Sequence, residues 1–494
     1  MPEENKISEV KPDEKKQKLE VKDNLVITQH SLNIGGETID YTVTAGTIVL
    51  KEETPDREKE FEGEKPKAEF FFVAYSKNGV DDPAKRPLTF SFNGGPGSSS
   101  VWLHLGLLGP RRVVMEFDGD LPKPPYQLTD NEFSLLDQTD LVFIDPVSTG
   151  YSRPVEGQKA KDFHGFKKDL ETVGDFIRLY TTRYNRWLSP KFLIGESYGT
   201  TRASALSGYL QDRHGLYLNG IMLVSTVLNF QTIDFTIGNE LPYVLFLPTY
   251  TATAWYHRAL RVRHPLQSLL AEVQNFAVNE YAPALMKGAG LPRRERQNVV
   301  EKLARYTGLA PDYIERSNLR IPDFRFFKEL LRSRGRTVGR LDSRFLGIDP
   351  DTLTDGTHND PSYTNIIGPY TAAFYDYVRR ELKFEKDISY EILNGQVWPW
   401  SYAQHENQFV YVAETLRQAM SINPHLKVFV ANGYYDLATP YFATEYVFNH
   451  LGLDESLRSN ISMGYYEAGH MMYIHTPALE ALKKDLAEFI QKAV

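Results

Sequence analysis

The sequence predicts an α/β fold, a mostly parallel central sheet flanked by helices and interrupted by a helical insertion. Three observations carry this expectation. Short apolar strands alternate with amphipathic helices through the middle of the chain. A Gly-x-Ser-x-Gly motif, Gly195-Glu196-Ser197-Tyr198-Gly199, joins such a strand to such a helix. Roughly residues 235–375 then break the rhythm, with helix formers and charge in place of strand candidates. Alternation of this kind implies a parallel sheet covered on both faces, because each crossover lays a helix against it.

Residues 1–24 contain seven acids and six lysines among few apolar positions, the composition of a disordered N-terminal tail. From Leu25, LVITQHSLNI, the turn Gly35-Gly36 and TIDYTVTAGTIVL predict a hairpin. EFFFVAYS and PLTFSFN predict a further strand pair joined by the turn-rich segment Lys77 to Arg86. LVFID (141–145) is a short apolar strand. Residues 164–184 place Phe166, Leu170, Val173, Ile177 and Tyr180 on one helical face. KFLIG (191–195), a helix over 198–212 and GIMLVST (220–226) continue the alternation. It resumes after the insertion with a helix near 370–383, strands at 426–432 and 461–466, and a final amphipathic helix near 477–492. The expected organisation is a tail over 1–24, core over 25–234 and 376–494, and a helical insertion or cap over 235–375.

The serine motif has the strand-to-helix context that a nucleophile turn requires, which specifies the α/β-hydrolase fold. Small flanking residues allow a turn tight enough to project the Ser197 hydroxyl over the sheet edge, with a helix N-terminus facing a developing oxyanion. A serine hydroxyl needs a base and an orienting acid, expected in the order Ser, Asp, His on loops after strands. Asp436 follows the strand at 426–432, and His470 follows the strand at 461–466, so both stand where the fold would place them. Asn93-Gly94-Gly95-Pro96-Gly97-Ser98-Ser99-Ser100 follows the strand PLTFSF, where consecutive glycines let a backbone N–H point into the site as an oxyanion donor. It lacks the Gly-Lys-Ser/Thr ending of a phosphate cradle.

At these residues the chain resembles the serine carboxypeptidase family, acid-active exopeptidases of the α/β-hydrolase fold. The likeness rests on Asn93 to Ser99, on Asp145-Pro146 through Gly150-Tyr151-Ser152, on Gly195 to Gly199, and on Asp436 with Ala468-Gly469-His470. The resemblance implies that Ser197 is the nucleophile, His470 the proton shuttle and Asp436 its orienting acid. It implies an oxyanion hole from the N–H groups of Gly95 and Tyr198. Asn93 and Glu196 would bind the substrate's terminal carboxylate, with Glu196 protonated, since two facing carboxylates do not both stay ionised. The chain departs from the family pattern in two places. Leu107, before Leu108-Gly109-Pro110, stands where the family commonly has a second glutamate, and Ser98 stands where it has a cysteine.

Composition narrows the function classes. Among 494 residues, 41% are hydrophobic and 24% charged, and the net charge is -8, which favours no polyanionic partner such as nucleic acid. The five arginines from Arg332 to Arg344 lack interleaved aromatics and are expected on a solvated face. There are no cysteines, hence no disulfide, thiolate metal site or cysteine nucleophile. No metal or organic cofactor is implied, because no ligand cluster has suitable spacing and the triad chemistry needs none. No apolar run approaches the ~20 residues of a membrane span; Tyr243 to Tyr256 is short and contains Pro248. The N-terminus has no apolar core, so a cytoplasmic location is expected, or a periplasmic or secreted one if a leader was removed before residue 1. Trp398 and Trp400 are expected in core packing rather than in a pocket. The expected partner is a peptide substrate. Three function classes stay open: a carboxypeptidase first, then an acyltransferase, esterase or amidase on the same triad, then a non-catalytic binding protein.

Overall fold

The chain is described by a computed structural model over residues 21–53, 63–261 and 264–494. The anticipated tail lies, up to residue 20, outside the described residues. The hairpin after it forms as the sequence predicts: β1 (Asn24–Ile34) pairs antiparallel with β2 (Glu37–Glu53). Its turn requires positive φ at Gly35 and Gly36, 60° and 87°, which glycine adopts without steric cost.

Next come β3 (Glu64–Lys77), β4 (Leu88–Phe92), β5 (Asp140–Ile144), β6 (Lys191–Ser197), β7 (Gly220–Thr226), β8 (Lys427–Gly433) and β9 (Ile461–Tyr466). They form a ten-stranded sheet in the order β1-β2-β3-β5-β4-β6-β7-β8-β9, with the two-residue strand Arg153–Pro154 on β3. From β5 to β9 all neighbours are parallel, while β1, β2, β3 and β5 pair antiparallel. One expectation fails here: β3 and β4 are adjacent in sequence but do not pair. β5 inserts between them, antiparallel to β3 and parallel to β4. Every residue of β4 and β5 is buried, so each needs a covered position on both edges and both faces, which a two-stranded hairpin cannot supply.

The sheet separates two cores. On one side Leu193, Leu223 and Val430 pack with α1 (Phe166–Arg183), α2 (Tyr198–His214) and Ala413–Ile422. On the other, Ile194, Met222 and Phe429 pack with Pro361–Arg380 and Thr476–Ala493. Alternate residues of one strand thus serve opposite cores, the pleat's period of two.

Helices from Leu241–Tyr256 to Asp323–Glu329 build a third core around Phe246, Tyr250, Leu269, Leu303 and Phe326, the helical insertion. Two details differ from expectation. Pro361–Arg380 begins earlier than 370 and packs Ile366, Tyr370 and Phe374 on the sheet, so it serves the sheet's own core. The insertion also ends in a small ribbon, Arg336–Val338 against Leu346–Ile348. Leu241–Tyr256 runs through Pro248 without a break, and among the described residues no helix is long and apolar enough to cross a membrane.

Candidate active site

β6 ends at Ser197 and α2 begins at Tyr198. Ser197 has φ 60° and ψ -129°, a strained conformation for a residue with a side chain. The motif's glycines are what permit it. A Cβ on Gly195 would lie 2.1 Å from the Gly199 carbonyl oxygen, and one on Gly199 would lie 2.8 Å from that of Phe92. The Thr200 hydroxyl donates to the Ser197 carbonyl at 2.7 Å and ties the turn to the helix. Because Tyr198 is the first helical residue, its N–H has no intrahelical acceptor.

Asp436 and His470 come from the loops after β8 and β9, neighbouring parallel strands. Asp436 is fully buried, yet each of its oxygens is satisfied. Oδ1 accepts from the N–H groups of Ala438 (2.8 Å) and Thr439 (2.9 Å). Oδ2 accepts from the Thr439 hydroxyl and from His470 Nδ1, both at 2.7 Å. With Nδ1 carrying the proton toward Asp436, Nε2 of the neutral ring keeps its lone pair. Burial alone would lower the His470 pKa; the charge and hydrogen bond of Asp436, with the charge of Glu196, outweigh it and raise it.

A strap at the end of the insertion holds both loops. The His470 N–H donates to the Leu341 carbonyl at 2.7 Å, and the Gly469 N–H to Asp342 Oδ2 at 3.0 Å. The Leu437 N–H donates to the Arg340 carbonyl (3.1 Å), and the Ser343 N–H to the Tyr435 carbonyl (3.0 Å). Asp342 is itself paired with Arg344 at 2.7 Å. From the sheet, the Ser225 hydroxyl donates to the His470 carbonyl at 2.6 Å.

The glycine loop closes against the serine turn. A Cβ on Gly94 would lie 2.4 Å from the Tyr198 nitrogen, so only glycine allows this approach. Asn93, just before it, is buried and held at two points. Its Oδ1 accepts from the Leu103 N–H at 3.1 Å, and its backbone carbonyl from Arg202 at 2.6 Å. Its Nδ2 makes no hydrogen bond of good geometry, but it faces Glu196 and Tyr473 closely enough to favour their charged forms. Asp145-Pro146 serves as scaffolding: Asp145 Oδ1 accepts from the N–H (2.8 Å) and hydroxyl (2.7 Å) of Ser100, anchoring the loop's far end.

Glu196 is buried beside Ser197, and its Oε2 accepts from the Tyr473 hydroxyl at 2.5 Å. Burial pushes its carboxyl up to about 7; His470, Tyr473 and Asn93 favour the charged form, and Asp436 opposes it.

Asn93, Gly95, Glu196, Ser197 and His470 line one cavity of about 520 Å³, with Asp436 and Tyr198 buried. All seven residues singled out in the sequence therefore converge, five on the cavity itself. Leu107 is fully buried, so no second carboxylate stands at that position. Sequence reasoning missed Tyr473, Thr439 and Arg202, although Tyr473 stands only three positions after His470. The five arginines do not share a solvated face. Arg334, Arg336 and Arg340 are exposed, Arg340 at the mouth of the cavity, whereas Arg344 is buried against Asp342. Trp398 is 54% exposed and lines the cavity, against the expectation of core packing, whereas Trp400 is buried edge-on to Tyr198. Among the described residues no cluster of His, Asp and Glu could hold a metal ion.

A model of the serine carboxypeptidase family matches residues 60–469, most of the chain. The chain belongs to the serine carboxypeptidase family. It is similar to the pheromone-processing carboxypeptidase KEX1 of Saccharomyces cerevisiae, 35% identical over 161 residues, which are 31% of this chain and 20% of that protein. It is also similar to serine carboxypeptidase-like 33 of Arabidopsis thaliana, 28% identical over 184 residues, 35% of this chain and 32% of that one. The matched stretches thus span a fifth to a third of these relatives. The crystal structure of KEX1(delta)p, a prohormone-processing carboxypeptidase from Saccharomyces cerevisiae, has a TM-score of 0.54 at 17% identity and covers 91% of each chain. That likeness is one of fold, the α/β-hydrolase fold of this family.

Proposed function

We propose that the protein is a serine-type carboxypeptidase that releases C-terminal amino acids from peptides through an acyl-enzyme. The observation that carries this is the placing of a buried Asn93 amide, whose Nδ2 makes no hydrogen bond of good geometry, beside the Glu196 carboxyl in the cavity that holds Ser197 and His470. Such a pair suits a carboxylate: Asn93 Nδ2 donates at any pH, and Glu196 donates while protonated.

Binding the terminal carboxylate there presents the last peptide bond to Ser197. Its Oγ attacks the carbonyl carbon as His470 Nε2 takes the hydroxyl proton, and the N–H groups of Gly95 and Tyr198 stabilise the oxyanion. Collapse breaks the C–N bond, and His470 returns the proton to the departing amine. Water then attacks the ester with His470 again as base, releasing the shortened peptide and restoring Ser197. Asp436 stays ionised and holds the ring throughout.

An N-blocked dipeptide with a free C-terminus, compared with its C-terminal amide, tests the proposal. The free acid should be turned over at least tenfold faster at pH 6, and Ser197→Ala should abolish both activities. Equal rates would replace the carboxypeptidase by a general amidase or esterase; no turnover would leave a binding protein.

Gly94→Ala bears on the oxyanion hole separately. Its methyl group would fall on the Tyr198 nitrogen, so loop and turn must part, which is expected to lower kcat by about 10² to 10³. Steady-state kinetics on the same dipeptide check this, with KM moving much less than kcat.

A further inference from the structure

We infer that Tyr473 is a positioning residue for carboxylate recognition: its hydroxyl takes Glu196 Oε2 and so directs the carboxyl proton to Oε1, for the substrate. The inference rests on the carboxypeptidase reading above and adds to it the residue that orients the acid.

A protonated carboxyl group can carry its proton on either oxygen, and only one placement serves a ligand. At 2.5 Å from Oε2, the Tyr473 hydroxyl occupies that oxygen as a donor. A second proton on Oε2 would place two hydrogens between the same two oxygens. Tyr473 is fully buried and its pKa lies well above the ordinary phenol range, through burial first and then Glu196, so it keeps its proton, and Glu196 Oε2 is the acceptor the structure gives that proton. Its place is built into the fold. A Cβ on Gly106 would lie 2.4 Å from the Tyr473 ring and 2.7 Å from the Tyr370 hydroxyl, so the ring fills a slot that exists because residue 106 is glycine. The other groups that act on Glu196 are His470 and Asp436 from the loops after β9 and β8, and Asn93 from the glycine loop; Tyr370, from Pro361–Arg380, senses its charge. Among the described residues the hydrogen bond to Oε2 comes from Tyr473.

The same hydrogen bond favours the ionised carboxyl group, so it has a second, measurable effect. Glu196 donates below about 7 and loses its proton above, so KM for a free-acid substrate should rise above that pH. In Tyr473→Phe the ring still fills the slot, but the ionised form loses a donor. Loss of a hydrogen bond to a charged group should move this rise upward by about one pH unit. With the proton no longer directed, KM at pH 5 to 6 should increase about tenfold, with a smaller change in kcat.

The experiment measures KM and kcat from pH 5 to 9 for the blocked dipeptide acid and its amide, in wild type, Tyr473→Phe, Glu196→Gln and the double variant. The rise in KM should move upward in Tyr473→Phe for the acid and be absent for the amide. It should vanish in Glu196→Gln, whose amide donates at every pH, and Tyr473→Phe should then produce no pH displacement. A rise that stays in place in Tyr473→Phe would overturn the inference. A wild-type enzyme without preference for the acid over the amide would overturn the carboxypeptidase reading itself, a different and separable result.

Discussion

Replacing His470 with alanine is expected to lower kcat on a blocked dipeptide by about 10⁴ to 10⁶, as loss of a triad base does. The geometry leaves no substitute. His470 Nδ1 is committed to Asp436 at 2.7 Å; of the two acids that line the cavity, Glu196 is committed through one oxygen to Tyr473, and Asp360 through one oxygen to the N–H groups of Arg340 and Ser362. Asp436→Asn should cost about 10⁴ by a different route. An amide that turns its NH₂ toward Nδ1 forces the ring proton to Nε2 and removes the base's lone pair from Ser197. Stopped or steady-state assays with burst analysis measure both, and near-normal turnover in either variant would remove that residue from the mechanism. Because His470 must be neutral to accept a proton and its pKa is raised, wild-type kcat/KM should fall as pH drops through that elevated value.

The second large effect is on stability. Arg202 and Asp169 form an ion pair at 2.8 Å with side chains 1% and 3% exposed, and Arg202 lies over the Phe92 and Tyr198 rings. Arg202→Met leaves Asp169 buried without its cation and removes the donor to the Asn93 carbonyl. A loss of about 3–5 kcal/mol is expected, read as a lower urea midpoint at unchanged slope. Adding Asp169→Asn should recover part of it, since the uncompensated charge is then gone. A variant as stable as wild type would mean that the pair is dispensable.

Much of this architecture was legible in the chain because buried parallel strands are nearly continuous apolar runs. KFLIG, GIMLVST and LKVFVAN announce themselves this way, and Ser197, Asp436 and His470 could be picked out by asking which polar residues follow such runs. Pairing was less legible. β3 and β4 are joined by a short turn, and nothing local to them reveals that β5, some fifty residues later, separates them. The proposed carboxylate site was half legible for a similar reason. Asn93 and Glu196 belong to motifs, whereas Tyr473 acquires its meaning from an oxygen 277 positions away and from a slot at Gly106. The arginines from 332 to 344 looked alike in sequence because charge is local information and its partner is not.

The strap from Arg340 to Ser343 divides the insertion into parts with different evolutionary freedom. Its helices pack around a core that meets the loop after β8 at Leu437, so helix surfaces away from that contact can be recast with little disturbance to the loops that carry Asp436 and His470. The strap cannot drift in the same way. It holds Tyr435, Leu437, Gly469 and His470 by main-chain or carboxylate contacts, and a Cβ on Gly469 would lie 2.5 Å from the Leu341 carbonyl oxygen. A graft of another relative's cap therefore has a natural suture at Val338, where the helical module ends and the part that belongs to the active site begins.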